Sequence, residues 1–77
     1  MNENRIFAEN LKRARKEKRF TQDSMAEKLE VPQKRYAAWE EGRGAPNLFY
    51  LSKICEVLEV DDLYLFISQE LAKEITN

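Results

Sequence analysis

Apolar side chains return every three to four positions along most of the chain, and the pattern breaks where proline and glycine gather. Phe7, Leu11 and Ala14 recur at i, i+4 and i+7 and predict a first helix over roughly residues 4 to 18. Lys12, Arg13, Arg15, Lys16 and Lys18 crowd its later turns, where positive charge suits the carbonyl end of a helix. Thr21, followed by Asp23, is placed to cap a second helix that carries Met25, Ala26 and Leu29 and ends near Glu30. Pro32 is tolerated only at a helix start, so it opens a third helix with Tyr36, Trp39 and Glu40 on one face; Gly42 then stops it in a left-handed conformation.

Asn47, just after Pro46, caps a fourth helix whose stripe is Leu48, Leu51, Ile54, Cys55 and Leu58. Asp61 caps a fifth. There Leu63, Ile67, Leu71 and Ile75 follow at steps of four with Leu65 and Phe66 beside them, which is more apolar surface than one core-facing stripe needs. The expectation is an all-α protein of five helices with an extended C-terminal helix, one domain over residues 1–77.

Composition narrows this picture. With 77 residues, a single core rarely supplies more than about 3 to 5 kcal/mol without a disulfide, a metal or a partner subunit. Cys55 is the sole cysteine and histidine is absent, so an internal disulfide and the usual zinc sets are excluded and a reducing compartment is expected. No cofactor is expected. The longest apolar run, Leu63 to Ile67, is far shorter than the roughly 18 to 20 residues a membrane span needs, and Glu3 and Arg5 replace the apolar stretch of a signal sequence. The expected location is therefore cytoplasmic, with no membrane partner.

The net charge of −1 argues at first against a nucleic-acid ligand, but charge is unevenly distributed. Residues 1–20 hold seven basic and three acidic side chains, residues 21–43 four and five, and residues 44–77 two and six. A chain polarised in this way can set a basic face against a polyanion and leave its acidic end in water or against another protein.

The candidate chemistry lies in the two short central helices. The second is preceded by proline and opens with Gln33, Lys34 and Arg35. A major groove about 12 Å wide accepts one helix, whose N-terminal residues reach base edges while the preceding helix crosses the backbone. Glutamine can pair twice with adenine, and lysine or arginine with the two acceptors of guanine. Ala37 and Ala38 are small enough for close approach to the groove, and the basic stretch from Lys12 to Arg19 offers phosphate contacts, with Lys12 and Arg19 as candidates. The alternative is an ordinary solvated helix face.

The run Thr21-Gln22-Asp23-Ser24-Met25-Ala26-Glu27-Lys28-Leu29, then Val31, then Trp39-Glu40-Glu41-Gly42-Arg43 and Pro46, resembles the Cro and phage-repressor type of helix-turn-helix domain, the lambda-repressor-like or XRE-type family of bacterial and phage regulators. The similarity covers roughly residues 5–66, leaving 63–77 as the C-terminal helix. What it implies is a DNA-binding transcriptional regulator. In it Gln22 touches a phosphate, Gln33 and Lys34 face base edges, and Arg35 touches either. Arg43 contacts backbone, and Arg15 pairs with Glu40 in a buried or half-buried bridge tying the first helix to the third. Four positions depart from the family pattern. Glu30 stands where glycine is usual, which demands either a left-handed backbone or a different turn. Pro32 stands where Ser or Thr usually caps the reading helix. Tyr36 and Trp39 replace commoner aliphatic residues and are expected in the core.

Other readings stay open. Cys55 on the fourth helix reads as an inert small hydrophobe, and the acidic residues Glu56, Glu59, Asp61 and Asp62 lack the ligand alternation of a calcium loop. An enzyme would have only carboxylates, lysine and tyrosine to work with, and nothing pairs them in a pocket. An antitoxin-like or adaptor module on the same fold is the second rival, kept alive by the acidic balance. The expectation is a small homodimeric repressor or controller protein on a near-palindromic duplex operator, with any further protein partner unknown. No ligand-sensing or cleavage domain is expected, and Leu63, Phe66, Ile67, Leu71 and Ile75 are the candidate dimer surface.

Overall fold

A computed structural model describes residues 3–67. Among them five helices, α1 (Glu3–Glu17), α2 (Gln22–Leu29), α3 (Gln33–Glu40), α4 (Leu48–Leu58) and α5 (Asp62–Phe66), follow one another without a strand. α1 packs against α3 and α5, α2 against α3 and α4, and α4 against α5. The core they enclose is built from Phe7, Leu11, Ala14, Met25, Ala26, Leu29, Val31, Tyr36, Trp39, Ile54, Leu58 and Leu65. Tyr36 and Trp39 lie inside it, edge to face at 6.2 Å, and Tyr50 of α4 extends the aromatic group at 5.8 Å from Trp39.

The helix ends show how sequence sets the path. Thr21 Oγ1 accepts from the Ser24 amide at 3.0 Å, and Asn47 Oδ1 accepts from the Tyr50 amide at 3.0 Å. Glu30 adopts the left-handed conformation, φ 60°, so the chain bears the strain instead of changing the turn. The Val31 amide then reaches back to the Ala26 carbonyl at 3.1 Å and closes α2. Pro32 sits at the N-cap of α3 with no side-chain hydrogen bond. At the other end of α3, Gly42 (φ 78°) lets the Arg43 amide bond the Ala38 carbonyl at 2.9 Å.

Three expectations need correction. Leu48 does not belong to the buried stripe of α4: it is 81% exposed, and half-buried Tyr50 joins Leu51, Ile54, Cys55 and Leu58 instead. Leu48 is the first residue of the helix, and its Cβ tilts toward the N-terminus, past the end of the core. Asp61 occupies the N-cap of α5 but makes no capping side-chain bond. The step-of-four stripe is also interrupted, since Ile67 is extended (φ −120°, ψ 152°) and the buried residue of this segment is Leu65.

The physical reason is Asn10 on α1. Its buried Nδ2 donates to the carbonyls of Tyr64 (3.2 Å), Leu65 (3.1 Å) and Ile67 (2.7 Å), so carbonyls that would otherwise continue the helix end on a side chain. Residues 68–77, including Leu71 and Ile75, lie outside the described residues, as does the side chain of Leu63.

Candidate nucleic-acid interface

α2 and α3 are joined by only Glu30, Val31 and Pro32, a short turn of helix-turn-helix length. The turn presents the N-terminal end of α3 outward: Gln33, Lys34 and Arg35 are exposed, Ala37 and Ala38 are half-buried, and Tyr36, Trp39 and Glu40 face the core. The helix thus has a buried aromatic and acidic side and a polar leading end. Gln22 opens α2 beside it, and the Gln33 Nε2 donates to Gln22 Oε1 at 2.9 Å. The two helix starts therefore form one polar surface.

Behind that surface lies a buried ion pair. Arg15 Nε donates to Glu40 Oε2 at 2.6 Å and Arg15 Nη2 to Glu40 Oε1 at 3.1 Å, with side-chain exposures of 9% and 2%. Arg15 Nη1 donates to the Phe20 carbonyl at 2.7 Å, which also fixes the link between α1 and α2. Tyr36 Oη donates to Glu40 Oε2 at 2.5 Å and Gln22 Nε2 to Glu40 Oε1 at 3.0 Å. Burial alone would raise the Glu40 pKa, but the bonds from Arg15, Tyr36 and Gln22 outweigh it and hold the carboxyl below its ordinary range. The same burial, with the Glu40 bond, pushes the Tyr36 hydroxyl far above the usual phenol range, so it remains a donor. Among the described residues no buried side-chain nitrogen or oxygen lacks a partner.

The remaining candidates are scattered around this centre. Arg43, exposed in the loop after α3, is held by Glu41 through Nε (2.8 Å) and Nη2 (2.6 Å) to the same Oε1. Arg19 is exposed in a left-handed conformation (φ 64°) after α1. Lys12 stands on the outer face of α1 with Glu9, Arg13, Lys16 and Glu17 around an open groove. Phe66 stacks on Phe7 at 5.2 Å yet keeps 46% of its surface exposed, and Ile67 is half-buried. Cys55 is half-buried, and burial together with Asp62 and Asp61 pushes its thiol pKa up, away from reactivity. Among the described residues no cluster of His, Cys, Asp or Glu is arranged to hold a metal ion, and no helix is long and apolar enough to cross a membrane.

Sequence reasoning did not anticipate the Gln22–Gln33 contact or the place of Tyr36 in the buried network. Signals for both exist: Gln22 and Gln33 are each the first residue of a helix, and Tyr36 lies four residues before Glu40, on the same helical face.

This fold and surface define a helix-turn-helix protein, and the comparisons with known proteins agree. The helix-turn-helix family profile matches residues 11–65. The chain is 37% identical over 79 aligned positions to a Bacillus subtilis (strain 168) protein described as the uncharacterized HTH-type transcriptional regulator YqaE, covering 94% of this chain and 68% of that protein. No solved structure matches the chain. The chain belongs to the helix-turn-helix family, and its class is that of a DNA-binding regulator, not an enzyme.

Proposed function

We propose that the chain is a sequence-specific, duplex-DNA-binding transcriptional regulator that acts in the cytoplasm as a homodimeric repressor or controller. The observation that carries this reading is the exposed trio Gln33, Lys34 and Arg35 at the leading end of a helix anchored from behind by the Arg15–Glu40 pair. Placed in a major groove, α3 brings these three side chains to base edges, with Ala37 and Ala38 leaving room for close approach. Gln22, Arg43, Lys12 and Arg19 supply phosphate contacts, which set register without reading sequence. For Arg43 this means exchanging Glu41 for a phosphate oxygen.

Phe66 and Ile67 form the described part of the proposed dimer surface, with Leu63, Leu71 and Ile75 completing it. Two-fold symmetry then sets two copies of α3 about 34 to 36 Å apart on a near-palindromic operator. Selection of bound sites from random duplexes at two salt concentrations tests the reading: a palindromic motif with a steep salt slope supports it, and recovery of no motif contradicts it. Light scattering that shows a monomer at high micromolar concentration contradicts the dimer. A second reading, a protein-interaction module of antitoxin or adaptor type, draws on exposed Leu48 and Phe49 at the start of α4. It predicts no selected DNA motif.

A further inference from the structure

We propose that Glu40 is a positioning residue for base reading: its buried carboxylate fixes the direction in which the Gln33 amide faces the groove. This rests on the reading in which Gln33 meets a base, and it concerns what sets the order of donor and acceptor that Gln33 presents there.

The argument follows the hydrogen bonds outward from the core. An ionised carboxylate only accepts. Glu40 is surrounded by donors, with Arg15 and Tyr36 on Oε2 and Arg15 and Gln22 on Oε1. Gln22 must therefore turn its Nε2 inward, at 3.0 Å from Glu40 Oε1, and its own Oε1 outward. That oxygen in turn requires a donor, and the Gln33 amide supplies it through Nε2 at 2.9 Å. Two hydrogen bonds carry the polarity of a charge inside the core to an exposed side chain on the groove-facing end of α3.

The consequence is chemical. One Gln33 N–H is committed to Gln22, which leaves the second N–H and Oε1 facing outward. The free donor then lies on the side next to Gln22 and the acceptor on the far side. Adenine offers N7 as acceptor and its N6 amino group as donor, so a glutamine amide pairs with it twice in one order only. A reversed amide would present the acceptor first and suit an edge that runs the other way. Gln22 keeps one Nε2 hydrogen free for a phosphate, so it can position Gln33 and contact the backbone together. Without Glu40 neither amide has a reason to prefer one direction.

The test compares four variants of the full chain, Glu40→Gln, Gln22→Met, Gln33→Ala and Tyr36→Phe, by selection from random duplexes. Competition then follows with duplexes carrying each base pair in turn, and melting temperatures are measured beside it. Glu40→Gln keeps the shape but lets the Gln22 amide settle either way round, and Gln22→Met removes the connection. Both are expected to lose about tenfold discrimination at one base pair per half-site, the same one that Gln33→Ala loses, with other positions unchanged. A lost phosphate contact alone would instead weaken all sequences equally. Tyr36→Phe removes a donor from Oε2, the oxygen that does not face Gln22, and is expected to lower the melting temperature and keep discrimination.

Full discrimination at that base pair in folded Glu40→Gln overturns the proposal, and so does a Tyr36→Phe profile matching that of Glu40→Gln. If Glu40→Gln does not fold, Gln22→Met decides alone: retained discrimination there overturns the proposal. A selection profile unchanged in Gln33→Ala would overturn the underlying assignment of Gln33, and this inference with it. Loss in Gln33→Ala together with retention in Gln22→Met would overturn only the positioning by Glu40.

Discussion

The junction of α1, α2 and α3 and the end formed by α4 and α5 are held by different forces. At the junction, Arg15, Glu40, Tyr36 and Gln22 share directional bonds of 2.5 to 3.1 Å, and each donor has a named oxygen. At the α4–α5 end, Ile54, Leu58 and Leu65 are buried by apolar packing, and the buried polar tie from α1 is Asn10, bonded to the carbonyls of Tyr64, Leu65 and Ile67. Apolar packing tolerates rearrangement if volume is kept, whereas a hydrogen-bonded charge accepts one geometry. The directional side lies under the residues proposed to meet DNA. The tolerant side leaves apolar surface open at Phe66, where a second subunit is proposed.

The largest expected effect comes from breaking the ion pair on one side only. Arg15→Met leaves Glu40 charged and buried and should cost about 3 to 5 kcal/mol in urea denaturation. Replacing both partners, Arg15→Met with Glu40→Leu, should restore much of that stability, because desolvating the pair offsets most of its attraction. A double variant as unstable as the single one would break the comparison.

Next in size is Asn10→Ala, which strips a donor from three carbonyls and should cost about 1 to 3 kcal/mol. Hydrogen exchange should place the loss in α5, with α2 and α3 protection unchanged. Glu30→Gly should stabilise the turn by about 1 kcal/mol, since glycine accepts φ 60° without the Cβ clash. Leu48→Gln should move stability by less than about 0.5 kcal/mol, because the side chain is outside the core.

Acid sharpens the same contrast. A carboxyl held below its unfolded value contributes stability that is present above the unfolded pKa, near 4.5, and lost as pH falls through the folded one. Denaturation from pH 6 downward should therefore show a loss of stability beginning near the ordinary carboxylate range, and Glu40→Gln should shallow that slope.

Helix periodicity and capping residues made the five helices legible, because Thr21, Asn47, Gly42 and the apolar spacing act locally. The Arg15–Glu40 contact was legible only through family resemblance, since 25 positions separate the two residues and no local rule joins them. Leu48 misled because periodicity says which face a residue shares and not where along the axis the core ends. The end of α5 was hidden for a related reason: it depends on Asn10, more than 50 positions earlier in the chain. Of the candidate interface, the exposed residues at the start of α3 were readable, and the amide network beneath them was not, because it depends on how two helix starts meet in space.

The measurement that bears most directly on α3 as the reading element is the discrimination of Lys34→Ala between the selected duplex and a copy changed at one base pair, set beside its melting temperature. The expected result is a fall of roughly tenfold in discrimination at one position with the melting temperature unchanged, since Lys34 is exposed on the leading end of α3. Unaltered discrimination, with affinity lowered equally for every sequence, would contradict base reading by Lys34 and leave only a phosphate contact there.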